Sequence, residues 1–168
     1  MRLQLAIESE IRQNDALTEK CYKYLIYNNT KLQAFELSRC FTGLGILYLN
    51  RGNDITKAFA SFAEGRMACP WSIDNYIIPA QILFDQEQYK DVYTLMENAF
   101  KHCHESFWCN IYDINSFISY YLIGISAYNL GKKIEGLGYL TMANYFKADE
   151  ECQQNIELAI KNIKEVGV

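Results

Sequence analysis

Both histidines of the chain and two of its six cysteines fall within eight residues, His102-Cys103-His104-Glu105-Ser106-Phe107-Trp108-Cys109. Imidazole and thiolate are the usual ligands of zinc, so this is where metal chemistry would sit. The spacing fits no standard finger, and His102 and His104 lie too close in sequence to grip one ion easily. The segment reads as a loop anchored by Phe107 and Trp108, with no metal expected. Gly43-x-Gly45 lacks the preceding strand and the full glycine spacing of a phosphate loop. A Ser-His-Asp triad cannot be assembled, because the histidines are confined to that one loop. Asp149, Glu150 and Glu151 fit the acidic first turn of a helix, where the dipole favours them. No catalytic residue and no cofactor are therefore expected, and the chain does not read as an enzyme.

The composition narrows the class further. The 168 residues suffice for one domain, and half of them are hydrophobic, which argues against disorder. Two prolines and nine glycines leave long stretches free for helix, and thirteen tyrosines suit helix packing and interfaces alike. A net charge of −4 with scattered lysines lacks the basic footprint of a nucleic-acid binder. The N-terminal stretch meets Glu8 and Glu10 too early for a signal peptide, and no apolar run approaches the ~20 residues that span a bilayer. The six cysteines are widely spaced and read as reduced thiols. These features predict a soluble, cytoplasmic protein that binds neither nucleic acid nor membrane, with no small-molecule substrate in evidence.

The elements that position these residues repeat. Phe41, Leu44, Gly45 and Tyr48 are followed by Gly52, Ala58, Phe62 and Pro70. This run resembles the tetratricopeptide signature. Small residues at Gly45 and Ala58 let two antiparallel helices approach, with Leu44, Tyr48 and Phe62 filling the space around them. Gly52 is expected to close the first helix in a left-handed conformation, and Pro70 to stop the second. The turn 52–56 is one residue longer than the family's usual one. The pattern returns at Tyr76, Pro79, Ala80 and Leu83 with Val92, Met96 and Ala99, and again at Tyr120, Ile123, Gly124 and Ala127 with Gly136, Leu140 and Ala143. Ala58, Val92 and Gly136 stand 34 and 44 residues apart. The first interval is the tetratricopeptide period, and the second implies an insertion of about ten residues. Pro79 predicts either a helix that begins near Ile77 or a kink.

The expected fold is all-α, a tetratricopeptide-like array of antiparallel helix pairs (an α-solenoid) forming a single domain over 1–168. Residues 1–30 form N-terminal helices, 35–70, 73–101 and 116–147 the repeats, and 102–115 an insertion loop. A closing helix over 149–166 carries Ile156, Ala159, Ile160 and Ile163. Residues 35–145 also resemble the repeat region C-terminal to the catalytic domain of some family-2 glycosyltransferases, through 36–45, Cys69-Pro70-Trp71, Ile111-Tyr112-Asp113 and 125–131. The chain has no Asp-x-Asp motif, so the resemblance implies an accessory module and not transferase activity.

In tetratricopeptide arrays the first helix of each repeat lines the binding face. Projection of the periodicity puts Arg39, Thr42, Ile46 and Leu49 there from the first repeat, Ile77, Gln81 and Phe84 from the second, and Tyr121, Ile125 and Tyr128 from the third. This apolar and aromatic groove lacks the paired cations of a carboxylate clamp. Its expected occupant is a partner helix, a second copy of the chain, or the chain's own N-terminal helix. The expected function is that of a protein-binding scaffold or adaptor. An accessory subunit of a glycosyltransferase system and a structural component of a larger assembly, including a viral particle, are the alternatives.

Overall fold

The computed structural model describes residues 2–11, 15–28, 31–52, 54–103, 111–146 and 150–165. These form α1 (Arg2–Ile11), α2 (Asp15–Tyr27), α3 (Ala34–Gly52), α4 (Ile55–Ala68), α5 (Asp74–Asp85), α6 (Tyr89–His102), α7 (Phe117–Asn129), α8 (Lys133–Tyr145) and α9 (Glu150–Glu165), with no strand among them. No helix among the described residues is long and apolar enough to cross a membrane. Phe107, Trp108, His104, Glu105 and Cys109, on which the metal and loop-anchor readings rested, lie outside the described residues, as do Asn53, Asp149 and the side chains of Glu150, Glu151, Cys152 and Ile163. The chain forms two compact units, Met1–Asn75 with Ser106–Ile111 and Tyr76–Glu105 with Tyr112–Val168, and the division falls within α5.

The repeat is visible in the turns. Gln88 donates its N–H to the Leu83 carbonyl across the α5–α6 turn, and Lys132 donates to the Ala127 carbonyl across the α7–α8 turn. Each spans five residues, with a second bond from Glu87 to Phe84 and from Gly131 to Tyr128. This is the Schellman closure, which needs a left-handed residue just past the helix. Gly131 (φ 79°) and Glu87 (φ 57°) supply it. In the α3–α4 turn, Asp54 reaches back six residues to Tyr48, so this turn is one residue longer, as its sequence implied. The carbonyls of Asp54, Gln88 and Lys132 then accept the first helical bond from Ala58, Val92 and Gly136, the same 34- and 44-residue intervals. One expectation fails here. Gly52 stays helical as the last residue of α3, because the longer turn is closed from Asp54 and needs no left-handed glycine.

In the first unit, α3 is enclosed on two sides. Leu3 and Ala6 of α1, Tyr22 and Leu25 of α2, and Cys40, Leu44 and Leu47 of α3 share one apolar cluster. On the other side Phe62 of α4 lies against Gly45, so close that a Cβ there would stand 2.5 Å from the ring. Asp54 caps α4 by accepting from the Lys57 N–H at 3.1 Å, and Cys69 leaves the helix in extended conformation before Pro70.

Between α4 and the start of α5 lies a buried polar knot. Asn75 is fully buried; its amide N–H donates to the Ser38 hydroxyl at 2.8 Å, and its Oδ1 faces the Thr42 hydroxyl at 3.0 Å. The Ser38 hydroxyl donates to the Gly65 carbonyl at 2.9 Å. Asp74, also fully buried, accepts the Ile111 N–H with both carboxylate oxygens at 2.9 and 2.7 Å and so pins the end of the insertion. Pro79 sits inside α5, which begins at Asp74 and not near Ile77. The proline has no N–H for the carbonyl four residues back, that of Asn75, and the Arg66 guanidinium donates to that carbonyl instead at 2.7 Å.

In the second unit, α7 and α8 meet through Gly124 and Gly136. A Cβ on Gly136 would stand 2.9 Å from the Gly124 carbonyl oxygen and 3.0 Å from the Tyr128 nitrogen. Both are backbone atoms that cannot step aside. Leu140, Ala143 and Ile156 form the adjoining cluster, which brings α9 onto α8, with Ala159 and Ile160 packed against it.

Arg66→Met should cost about 1–2 kcal/mol by orphaning the Asn75 carbonyl. In a Pro79→Ala background, where residue 79 regains an N–H, the same change should cost less than half as much. Urea denaturation of the four proteins of this cycle measures the coupling directly.

Candidate protein-binding face

The first-helix positions divide by burial. In the first unit Arg39 and Thr42 are buried, Thr42 being turned toward Asn75 and toward the Ser38 carbonyl, to which its hydroxyl stands at 3.0 Å. Ile46 and Leu49, further along α3, are half-buried. In the second unit Ile77 is fully buried, while Gln81, Phe84, Tyr121, Ile125 and Tyr128 are half-buried. Three of the ten predicted groove residues thus lie in the interior and not on a face. Helical projection assumes that each turn of a first helix presents one side outward. Residues 72–77, however, are buried all round, and α5 emerges only beyond Pro79.

The half-buried residues of the second unit form a connected strip. Phe84 meets Tyr89 edge-on at 5.6 Å between ring centroids and Tyr121 at 5.8 Å, and Tyr121 stacks on Phe117 at 5.3 Å. The Gln81 amide oxygen accepts from the Tyr112 hydroxyl at 3.2 Å, so the end of the insertion fixes one edge of the strip. Along α7, Tyr121, Ile125 and Tyr128 follow at helical spacing and pack against Leu140, Ala143 and Ile156. The closing helix therefore occupies part of this surface itself. Offset and edge-on rings of this kind hold one another's rotamers, which leaves a preset apolar surface.

Solved structures share this architecture. The structure described as MamA 41-end from Desulfovibrio magneticus RS-1 matches with a TM-score of 0.63 over 98% of this chain and 92% of that one, at 13% identity. A second, the MamA RS-1 ArsTM double mutant, matches with a TM-score of 0.60 over 97% and 92%, also at 13% identity. The fold is tetratricopeptide-like. No family model and no curated protein matches the sequence. At this identity the likeness speaks for the fold alone.

On the repeat boundaries expected from the sequence, α3, α5 and α7 are first helices and α4, α6 and α8 second helices. Sequence reasoning missed a further cluster on the second helices. Tyr93 of α6 donates its hydroxyl to Glu135 of α8 at 2.6 Å, and Lys132 lies over the Tyr93 ring at 3.7 Å. Burial, with Glu135 adding to it, pushes the Tyr93 phenol up. The Lys132-Lys133 pair was legible, but its partner lies some forty residues earlier in the chain. Among the described residues no three of His, Cys, Asp and Glu come together as a metal site. His102 is exposed and Cys103 buried, so these neighbours point apart.

The same helix supplies an internal control. Ile77→Ala should cost about 2–4 kcal/mol, as for a fully buried branched side chain. Phe84→Ala, on the emerging half of α5, should cost about 1 kcal/mol and leave the circular dichroism spectrum unchanged. Equal losses in urea denaturation would make Phe84 a core residue and remove it from the face.

Proposed function

We propose that this protein is a non-catalytic interaction or scaffold module that holds a segment of another protein on the first-helix surface of α5 and α7. The observation that carries the reading is the strip formed by Gln81, Phe84, Tyr121, Ile125 and Tyr128. It is apolar and aromatic, half-buried, and fixed by ring contacts on first helices of a tetratricopeptide-like fold. Its remaining apolar area contributes about 25 cal/mol per Å² when a partner covers it. Gln81 offers one polar group for orientation. On the first unit, taken by itself, Ile46 and Leu49 are half-buried apolar side chains of α3.

The partner class is protein, because the net charge of −4 offers no phosphate-binding field. Among the described residues Cys21, Cys40, Cys69 and Cys103 form no disulfide, which fits a reducing compartment such as the cytoplasm. No observation favours the glycosyltransferase-accessory or the particle-component alternative.

Tagged protein recovered from its native source should carry a stoichiometric protein partner. The double variant Phe84→Ala/Tyr128→Ala should reduce that partner's retention at least tenfold while helicity stays unchanged. Retention unaffected by the double variant would contradict the reading.

A further inference from the structure

The strip on α5 and α7 already has one occupant. Its α7 part, Tyr121, Ile125 and Tyr128, packs on the cluster that Ile156 of α9 forms with Leu140 and Ala143 of α8, and Ala159 and Ile160 pack alongside. α9 thus lies against both α7 and α8. The cluster does not include Phe84 of α5, so α9 covers one part of the strip and not the whole.

α9 is seated through a single row. Among its described side chains Ile156 alone is fully buried, and Ala159 and Ile160 are half-buried. Glu157, Leu158, Lys161 and Asn162, on the other side of the helix, are exposed. α7 by contrast buries Leu122, Ile123 and Ala127, and α8 buries Gly136, Leu140 and Ala143. A helix held by one row and wet on its other side opens at a lower free energy than the helices beneath it. A detached helix of this length is also marginal in water, so α9 leaves its seat by unfolding locally. What α9 presents also describes what fits there. Ile156, Ala159 and Ile160 recur at i, i+3 and i+4, a narrow apolar row in which Ala159 permits close approach. A surface that takes this row through apolar contacts can take another helix of the same pattern, the helix-in-groove mode of recognition.

We propose that α9 is an internal ligand of the strip, a displaceable helix that covers its α7 part until an amphipathic helix of the partner, carrying the same apolar row, takes its place. This role rests on the strip being the protein-binding face. α9 then sets the affinity of that face. Only the molecules with α9 lifted are competent, so the partner's apparent Kd is raised by the inverse of their fraction. Loosening the seat of α9 tightens the partner, whereas truncating the strip beneath it weakens the partner.

Hydrogen exchange of the unaltered full chain tests the opening. The slowest amides of α9 should exchange at least tenfold faster than the slowest of α7 and α8, in urea too dilute to unfold the unit. Equal rates that follow global unfolding would make α9 a fixed part of the unit and overturn the proposal. The full chain carrying Ile156→Glu tests the occupant. A fluorescein-labelled synthetic peptide of residues 150–165 should bind this variant at least tenfold tighter than the unaltered chain. Tyr128→Ala in the same background should abolish the gain, and Ile156→Ala, which only weakens the seat, should show the same order with a smaller gain. Equal affinity for the folded variants and the unaltered chain, or binding that Tyr128→Ala leaves untouched, overturns the proposal. The copurifying partner separates this role of α9 from the binding face itself. If Ile156→Glu and the unaltered chain retain it equally, while Phe84→Ala/Tyr128→Ala loses it, α9 is no lid and the strip still binds.

Discussion

Two helices of a repeat can approach only as closely as the smallest side chain between them permits. In this protein that limit is reached where Phe62 lies on Gly45 and where Gly136 abuts the Gly124 carbonyl. Once the paired helices are pressed together along one side, their apolar positions are divided between an inner side that is filled and an outer side that is not. Ala58, Val92, Gly136, Leu140 and Ala143 are consumed by the contact. Phe84, Tyr121 and Tyr128 on first helices, and Ile134, Met142 and Tyr145 on a second helix, are what remains. The candidate surfaces follow from where the close approach occurs.

The approach must also be held in register, and in the first unit a polar device does so. Ser38, Thr42, Gly65 and Asn75 satisfy one another where α3, α4 and the start of α5 converge. Gly65 admits the Asn75 amide to a space that a Cβ would close to 2.5 Å. Such a knot adds little net stability when complete, but a partner removed from it leaves a buried polar group stranded. Arg66 extends the device to α5, the helix that contains Pro79. The proline is tolerated because its missing donor is replaced from the neighbouring helix.

Much of the fold was legible because small residues mark the contacts. The recurrence at 58, 92 and 136 coincides with the three first-turn hydrogen bonds of α4, α6 and α8. Glu87 in a left-handed conformation was not legible, since the usual signal for that position is glycine, as at Gly131. Nor was the Asn75 knot, whose partners Ser38 and Thr42 lie 37 and 33 residues away. The face was harder to read. Periodicity correctly shows which residues share a side of α3 or α5, but not where along its length a helix leaves the core. Arg39, Thr42 and Ile77 share a side with other face positions and are nevertheless buried.

The central claim is that the emerging surfaces of α5 and α7 receive another protein. Hydrogen exchange of the protein, alone and with the partner that copurifies with it, tests that claim at peptide resolution. The account predicts added protection in peptides covering 81–89 and 117–128, with the buried segment 72–77 unchanged. Protection confined to α1, α2 or α4, or none at all in the presence of a saturating partner, would contradict it.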